Sequence, residues 1–194
     1  MSYVIVDVES DGPIPVEFSM VCFGAVIFDD LLDQSFYGRT RPISERFDPE
    51  ALAVSGFSRE EHLKFEEPKA VMENFAAWLA AHSEGRPIFV SDNPAYDWQF
   101  INYYFHRLLG RNPFGFSARR IGDLYAGLVK DTSKASEWKK YRVTAQQPPS
   151  GGRCAGQRGG VAEIQGTWPQ DLKIVDTKSP LCPRLSPSDK VGRS

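Results

Sequence analysis

Residues 4–12 read Val-Ile-Val-Asp-Val-Glu-Ser-Asp-Gly, and this stretch decides how the chain is interpreted. The apolar run at its start is typical of a buried strand. Asp7 and Glu9 follow two positions apart, and the alternation of side chains along a strand points both to one face. Two adjacent carboxylates repel unless a cation neutralises them, and Mg²⁺ and Mn²⁺ prefer such hard oxygen ligands. The alternative is a strand that ends in an acidic turn formed by Asp11 and Gly12.

A second informative stretch begins with another short apolar strand at residues 88–90. Residues 91–94 read Ser-Asp-Asn-Pro and break that strand, and from Tyr96 onward the apolar positions follow helical spacing. Asp97 is therefore predicted in the first turn of a helix that leaves a strand. An acidic residue there can also serve only to complement the helix dipole, so both interpretations stay open at this point.

Together the two stretches resemble the DEDD (DnaQ-like) superfamily of 3′–5′ exonucleases, and most closely its RNase T-like group of exoribonucleases. The segment 47–61, which lies between them, resembles a connector found in the same superfamily. The residues that match the first motif are Asp7, Glu9, Ser10 and Gly12. The residues that match the second motif are Asn93, Tyr96 and Asp97.

The resemblance implies an RNase H-like α/β fold and hydrolysis of phosphodiester bonds from the 3′ end of a single strand by a two-metal mechanism. Two Mg²⁺ or Mn²⁺ ions would be held by the catalytic residues Asp7, Glu9 and Asp97. Substrate contacts would be made by Ser10, Gly12, Asn93 and Tyr96. RNA is favoured over DNA as the substrate, although recognition of the 2′-hydroxyl has no short sequence signature. Small members of the superfamily often form homodimers.

The composition agrees with one enzyme domain. Of 194 residues, 41% are hydrophobic and 25% charged, which is enough for one sizeable core. The sequence has neither an apolar run of membrane-spanning length nor a signal-peptide pattern, so the expected location is cytoplasmic and no membrane partner is expected. Residues 1–140 form the predicted exonuclease domain, a mixed sheet of about five strands flanked by helices. The expected strands lie near 3–8, 19–28, 34–41 and 87–91, a further strand or turn is expected at 117–122, and the expected helices lie near 69–82, 95–109 and 123–130.

Residues 141–194 have a different character from the rest of the chain. They are rich in proline and glycine, contain more Lys and Arg than Asp and Glu, and have no helical or alternating apolar pattern. Such a segment buries too little apolar surface to offset the entropy of ordering it. We therefore predict an irregular basic tail.

The third motif of the superfamily is missing from the sequence as written. That motif places a fourth Asp on the last helix, preceded in one branch by a His five positions earlier. None of His62, His82 and His106 precedes an Asp by five residues, and Asp123 is interpreted as a helix cap. The exonuclease domain is therefore expected to lack its last helix and to be impaired. The alternative function is an inactive relative that binds nucleic acid or a protein partner.

A shifted reading frame from residue 148 is one explanation of the missing motif. Suitable codons for residues 148–162, read one base out of frame, can encode His-His-Pro-Val-Asp-Asp-Ala-Arg-Gly-Asn-Ala-Glu-Ala-Leu-Leu. That string contains a His five residues before an Asp, followed by a helical pattern. An ordinary disordered tail is the other interpretation, and the protein sequence leaves both open.

Overall fold

The apolar run that opens the chain forms the central strand of a five-stranded sheet. The computed structural model describes residues 1–29 and 32–141, and within them the strand order is β3-β2-β1-β4-β5. The first three strands form an antiparallel meander, whereas β4 pairs parallel with β1, and β5 pairs parallel with β4. The strands are β1 (Tyr3–Ser10), β2 (Met20–Ile27), β3 (Ser35–Arg39), β4 (Ile88–Ser91) and β5 (Ala118–Arg120).

Helices cover both faces of this sheet. On one face, two long helices pack on Val4, Val6 and Val8 of β1. On the other face, the helix Ile121–Val129 and Trp138 pack in a cluster that includes Ile5. The helices are α1 (Pro49–Ser55), α2 (Arg59–His62), α3 (Pro68–His82), α4 (Pro94–Leu109) and α5 (Ile121–Val129), followed by 3₁₀ turns at Thr132–Lys134 and Glu137–Tyr141. The predicted mixed sheet flanked by helices is confirmed.

The boundaries of α4 follow from ordinary helix signals. Pro94 occupies the first turn, where its missing N–H costs nothing and its fixed φ suits the helix. Gly110 ends the helix in a left-handed conformation with φ of 71°, which glycine adopts without a steric penalty. Asp97 lies in the first turn, as the sequence predicted.

Two features of the fold differ from the sequence prediction. The connector contains α1 and α2, which the apolar pattern did not indicate because both are short. Their start signals are local: Asp48 caps α1, and Ser58 forms a capping box with Glu61 in α2. The prediction that Asp123 caps a helix is wrong. The helix α5 begins at Ile121, so Asp123 lies inside its first turn.

The predicted tail, residues 141–194, lies outside the described residues apart from the backbone of Tyr141. The division of the chain near residue 140 therefore stays a prediction. In the part of the chain that the structure describes, no helix combines the length and the apolar character needed to cross a membrane.

Candidate active site

The first-motif carboxylates lie where β1 extends beyond its neighbour β4. Only Tyr3–Ile5 of β1 pair with β4, so no strand among the described residues pairs with the later half of β1 on that side. On the other side, Asp7 is opposite Gly24 of β2 and Glu9 is opposite Cys22. Asp7 and Glu9 follow Ile5 on the face of the sheet that α5 covers, as strand alternation requires. The sequence prediction that they share one face is therefore confirmed.

The side chain of Asp97 lies against the edge of β1 that β4 does not pair with. Its Oδ1 accepts a hydrogen bond from the backbone N–H of Val8, at 3.2 Å. The side chain is buried, with 4% of the residue exposed. The second-motif aspartate is thus inserted against the backbone that connects Asp7 to Glu9, across 89 residues of sequence.

The charge of Asp97 is poorly compensated within the described residues. Burial, and then the charge of Asp7, raise the pKa of Asp97 to about 7. No described Lys or Arg forms an ion pair with Asp97. A divalent cation would remove the repulsion between Asp7 and Asp97, and their oxygen atoms are the ligands that Mg²⁺ and Mn²⁺ prefer. The residues present therefore fit a hard divalent cation.

Glu9 is less closely associated with this pair. Its charge raises the pKa of Tyr96, and it raises that of Tyr37 on β3, although burial is the larger cause in both cases. Within residues 1–29 and 32–141, no group of three or more His, Cys, Asp and Glu side chains is arranged to hold a metal ion. The structure brings Asp97 to Asp7, and the convergence of all three carboxylates stays a prediction.

Ser10 and Tyr96 join the two motifs by a hydrogen bond. The Ser10 hydroxyl donates to the carbonyl of Gly12 at 2.6 Å, so its single proton is used there. The Tyr96 hydroxyl is therefore the donor in its short bond to Ser10. Gly12 is required by packing, because a Cβ at this position would lie 2.0 Å from the ring of Phe18. These contacts hold the turn that follows β1 against the start of α4.

Asn93 is the residue that precedes α4. Its carbonyl accepts hydrogen bonds from the N–H groups of Tyr96 and Asp97, whereas its side chain makes no capping bond. The residue is exposed at the end of β4. The predicted role of Asn93 in substrate binding stays a prediction.

Sequence reasoning missed a buried ion pair on the other side of the first motif. Asp11, interpreted as a turn residue, is fully buried, and its Oδ2 accepts a hydrogen bond from Arg59 at 2.8 Å. Its Oδ1 accepts from the N–H of Ser19, and Nδ1 of the buried His62 lies 3.6 Å from Oδ2. The signal that could have found it is the Arg-Glu-Glu-His sequence of the connector, which puts Arg59 and His62 on one helix face.

Arg59 also fixes the loop before α1. Its guanidinium donates to the carbonyl of Ser44 at 2.9 Å and lies over the ring of Phe47, 4.7 Å from the centroid. The N–H of Asp48 donates to the carbonyl of Asp11 at 2.7 Å. The connector is thus held against the turn that follows β1.

The three histidines of the chain lie away from the Asp7–Asp97 pair. His62 belongs to the cluster around Asp11. His82 lies at the end of α3, where Nδ1 is 2.8 Å from the carbonyl of Trp78. His106 is in the last turn of α4, at the opposite end of that helix from Asp97. None of them occupies the position of a general base beside the two aspartates.

Comparisons with known proteins identify the superfamily and the fold. No family model matches the chain. The chain is 42% identical over 130 residues to the 3′–5′ DNA exonuclease Cap18 of Escherichia coli. The alignment covers 65% of this chain and 68% of Cap18. By this similarity and by its motifs, the chain belongs to the DnaQ-like superfamily of 3′–5′ exonucleases, which are hydrolases of phosphodiester bonds.

Solved structures support the fold. E. coli exonuclease I in complex with a dA16 oligonucleotide aligns with a TM-score of 0.55 and 14% identity, over 84% of this chain and 38% of that one. The zinc-bound form of the exonuclease I complex with single-stranded DNA aligns with a TM-score of 0.54 and 16% identity, over 66% and 29%. The chain thus spans about a third of the length of exonuclease I, and at this identity the likeness establishes the RNase H-like fold alone.

Proposed function

We propose that this chain is a metal-dependent 3′–5′ exonuclease domain that acts on single-stranded nucleic acid. The observation that carries the proposal is the placement of Asp97. The buried carboxylate of Asp97 is held against the backbone of β1 and beside the carboxylate of Asp7. No described Lys or Arg forms an ion pair with Asp97. Such an arrangement is costly unless a cation or a proton neutralises it.

Asp7, Glu9 and Asp97 would hold the metal, with Mg²⁺ or Mn²⁺ as the expected ions and two ions as the expected number. When bound, the ions would activate a water molecule and stabilise the charge on the leaving 3′ oxygen. The zinc-bound form of the exonuclease I complex with single-stranded DNA supports the proposal that the site binds a metal ion. The chain itself contributes the positions of the carboxylates, because Val8 orients Asp97 through its N–H.

The proposed substrate is a single strand entering by its 3′ end. Exonuclease I is solved with single-stranded DNA, and Cap18 is named a DNA exonuclease, so both relatives support DNA as the first substrate to test. The resemblance to the RNase T-like group favoured RNA, and RNA therefore remains the second substrate. Asn93 and the Ser10–Tyr96 pair would contact the terminal nucleotide, since they border the Asp7–Asp97 pair.

Digestion of a 5′-labelled single strand tests the proposal. The full chain is incubated with DNA and RNA of the same sequence, with Mg²⁺ or Mn²⁺ and with EDTA. Because the third motif is missing, we expect a weak ladder that shortens from the 3′ end only when metal is present and that is lost in Asp7→Asn. Asp33→Asn is the matched control, because Asp33 is exposed and precedes β3 at the other end of the sheet. Equal activity in Asp7→Asn and wild type would refute the proposal.

The second candidate function is an inactive relative that only binds nucleic acid or a protein partner. It is favoured by the positions of the three histidines, none of which lies beside Asp97. Loss of a general base typically lowers the rate by about 10²–10⁴. Binding of single strands without cleavage would support this candidate. Recoding residues 148–165 in the shifted frame should then create metal-dependent cleavage if the tail hides the third motif.

A cytoplasmic location and a homodimer are the remaining parts of the proposal. Light scattering on the purified chain measures the mass and so tests the dimer. A monomeric mass across the concentrations at which the chain is active would remove the dimer from the proposal without affecting the assignment of the site.

A further inference from the structure

A row of three paired residues crosses the sheet at the end of β1. Glu9 of β1 is opposite Cys22 of β2, and Cys22 is opposite Arg39 of β3. Directly opposed residues on neighbouring strands point to the same face. Arg39 therefore projects from the same face as Glu9, two strands away, with about 10 Å between their backbones.

A second row lies next to the first and contains Tyr37. Asp7 is opposite Gly24, and Gly24 is opposite Tyr37. Burial raises the pKa of Tyr37 to about 12, the charge of Arg39 opposes this increase, and the charge of Glu9 adds to it. The hydroxyl group of Tyr37 is thus within the electrostatic reach of both Arg39 and Glu9. The guanidinium and the first-motif carboxylate therefore lie on the same face of the sheet, on either side of the apolar cluster that Leu52, Phe57 and Phe65 form with Cys22 and Tyr37.

Arg39 differs from the other arginines near the connector. Arg41, Arg46 and Arg59 each form an ion pair with a carboxylate. In residues 1–29 and 32–141, no carboxylate lies within ion-pair distance of Arg39.

The environment of Arg39 favours an anion from outside the protein. Its guanidinium lies over the ring of Phe65, 5.1 Å from the centroid, and the residue is exposed. A guanidinium that is fixed on an aromatic ring loses less side-chain freedom when it binds an anion, and its planar donors match phosphate.

We propose that Arg39 binds a backbone phosphate of the single strand next to the nucleotide held at Asp7 and Asp97. This inference rests on the proposed function. The phosphate is not the one at the cleaved bond, because Arg39 lies two strands from the carboxylates. Arg39 would thus set the path of the strand across β3 and add affinity for any sequence.

Salt-dependent binding tests the inference without requiring turnover. Fluorescence anisotropy of a labelled single-stranded oligonucleotide is measured in EDTA over a range of salt concentrations for the full chain and for Arg39→Gln. The slope of log affinity against log salt should decrease by about 0.7, the contribution of one phosphate on a single strand. Arg39→Lys should keep the slope while binding more weakly, because it keeps the charge but loses the planar donors.

Arg86→Gln is the matched control. Arg86 is exposed and precedes β4, at the end of the sheet opposite the carboxylates, so its replacement makes the same charge change away from the site. The slope of log affinity against log salt for Arg86→Gln should equal that of the wild type. Thermal unfolding of each variant establishes that the folded chain is being measured.

A second arm identifies the phosphate. Oligonucleotides that each carry one neutral methylphosphonate linkage are bound to wild type and Arg39→Gln. At one linkage near the 3′ end, the effect of Arg39→Gln should disappear. An unchanged slope in Arg39→Gln, an equal loss in Arg86→Gln, or additive effects at every linkage would overturn the inference and leave the proposed function intact. A wild-type chain that binds no single strand would instead refute the proposed function.

Discussion

Asp11 and Asp97 are both buried beside the first motif, yet their charges are compensated in different ways. Asp11 accepts a hydrogen bond from the Arg59 guanidinium at 2.8 Å and another from the N–H of Ser19. Asp97 accepts a hydrogen bond from the N–H of Val8 and faces the carboxylate of Asp7. Burial raises the pKa of both groups, and that of Asp97 reaches about 7.

The difference separates a structural carboxylate from a candidate metal ligand. A buried charge must be paired or must take up a proton, because the desolvation cost is otherwise several kcal/mol. The protein provides the cation for Asp11, whereas the described residues provide none for Asp97. We expect removal of the partner to affect folding at Asp11, and addition of a cation to affect folding at Asp97.

The largest expected effect is the loss of the cation beside Asp11. Arg59→Met should destabilise the fold by about 3–5 kcal/mol, because it leaves a fully buried carboxylate unpaired. Urea unfolding near neutral pH measures the change. Arg46→Met is the control, since Arg46 and Glu17 form an exposed ion pair, which is expected to contribute at most about 1 kcal/mol. The double variant Asp11→Asn/Arg59→Met should regain part of the stability, and equal losses in the two single variants would contradict the comparison.

The pH dependence of stability should distinguish Asp97 from its surroundings. The pKa of Asp97 is about 7 in the folded state and 3.8 ordinarily. Ionisation of Asp97 therefore lowers the free energy of unfolding as the pH rises from about 4 to 7. Burial, and then the charge of Arg59, lower the pKa of His62 from 6.5 to about 4. Protonation of His62 therefore lowers the free energy of unfolding as the pH falls from about 6.5 to 4. The two effects oppose each other in the wild type.

Asp97→Asn removes one of these opposing effects. The free energy of unfolding of this variant should fall by about 3 kcal/mol from pH 6.5 to pH 4, because the protonation of His62 is the one large pH-dependent contribution that remains. His62→Gln should instead lose stability as the pH rises. The raised pKa of Asp11 acts in the same direction as that of Asp97 and is common to both variants. Urea unfolding in EDTA at several pH values measures these profiles, and parallel profiles for Asp97→Asn and wild type would refute the assignment.

Metal addition should stabilise the wild type through Asp97. A ligand that binds only the folded state stabilises it by about 3 kcal/mol at one hundred times its dissociation constant. Thermal unfolding with increasing Mn²⁺ or Mg²⁺ should therefore show a rising melting temperature in wild type and Asp33→Asn, and little change in Asp97→Asn. If Asp97→Asn responds as strongly as the wild type, the cation binds elsewhere.

The smallest expected effect is at the bond that joins the two motifs. Tyr96→Phe removes the donor to Ser10 but leaves the Ser10 hydroxyl bonded to the Gly12 carbonyl, so the expected loss is about 1 kcal/mol. Ser10→Ala should cost more, because the buried Gly12 carbonyl would lose this hydrogen bond. Urea unfolding of the two variants compares them, and a larger loss in Tyr96→Phe than in Ser10→Ala would contradict the assigned direction of the bond.

Several parts of the site could be predicted because their signals are local. Alternation along β1 places Asp7 and Glu9 on one face, and the break at residues 91–94 places Asp97 in the first turn of α4. The short helices of the connector were missed although Asp48 and Ser58 carry capping signals, because four to seven residues give too little apolar periodicity to detect.

The sequence by itself determined the strand that carries Asp7 and Glu9 and the helix that presents Asp97, since each depends on residue types within one element. The two motifs together determined the superfamily. Only the tertiary structure decided which buried aspartate is neutralised. Arg59 reaches Asp11 across 48 residues, and Val8 reaches Asp97 across 89. No local spacing specifies such contacts. They arise because β4 stops short of the end of β1 and the connector folds back over the turn, and these two packing events set the charge environment of each carboxylate.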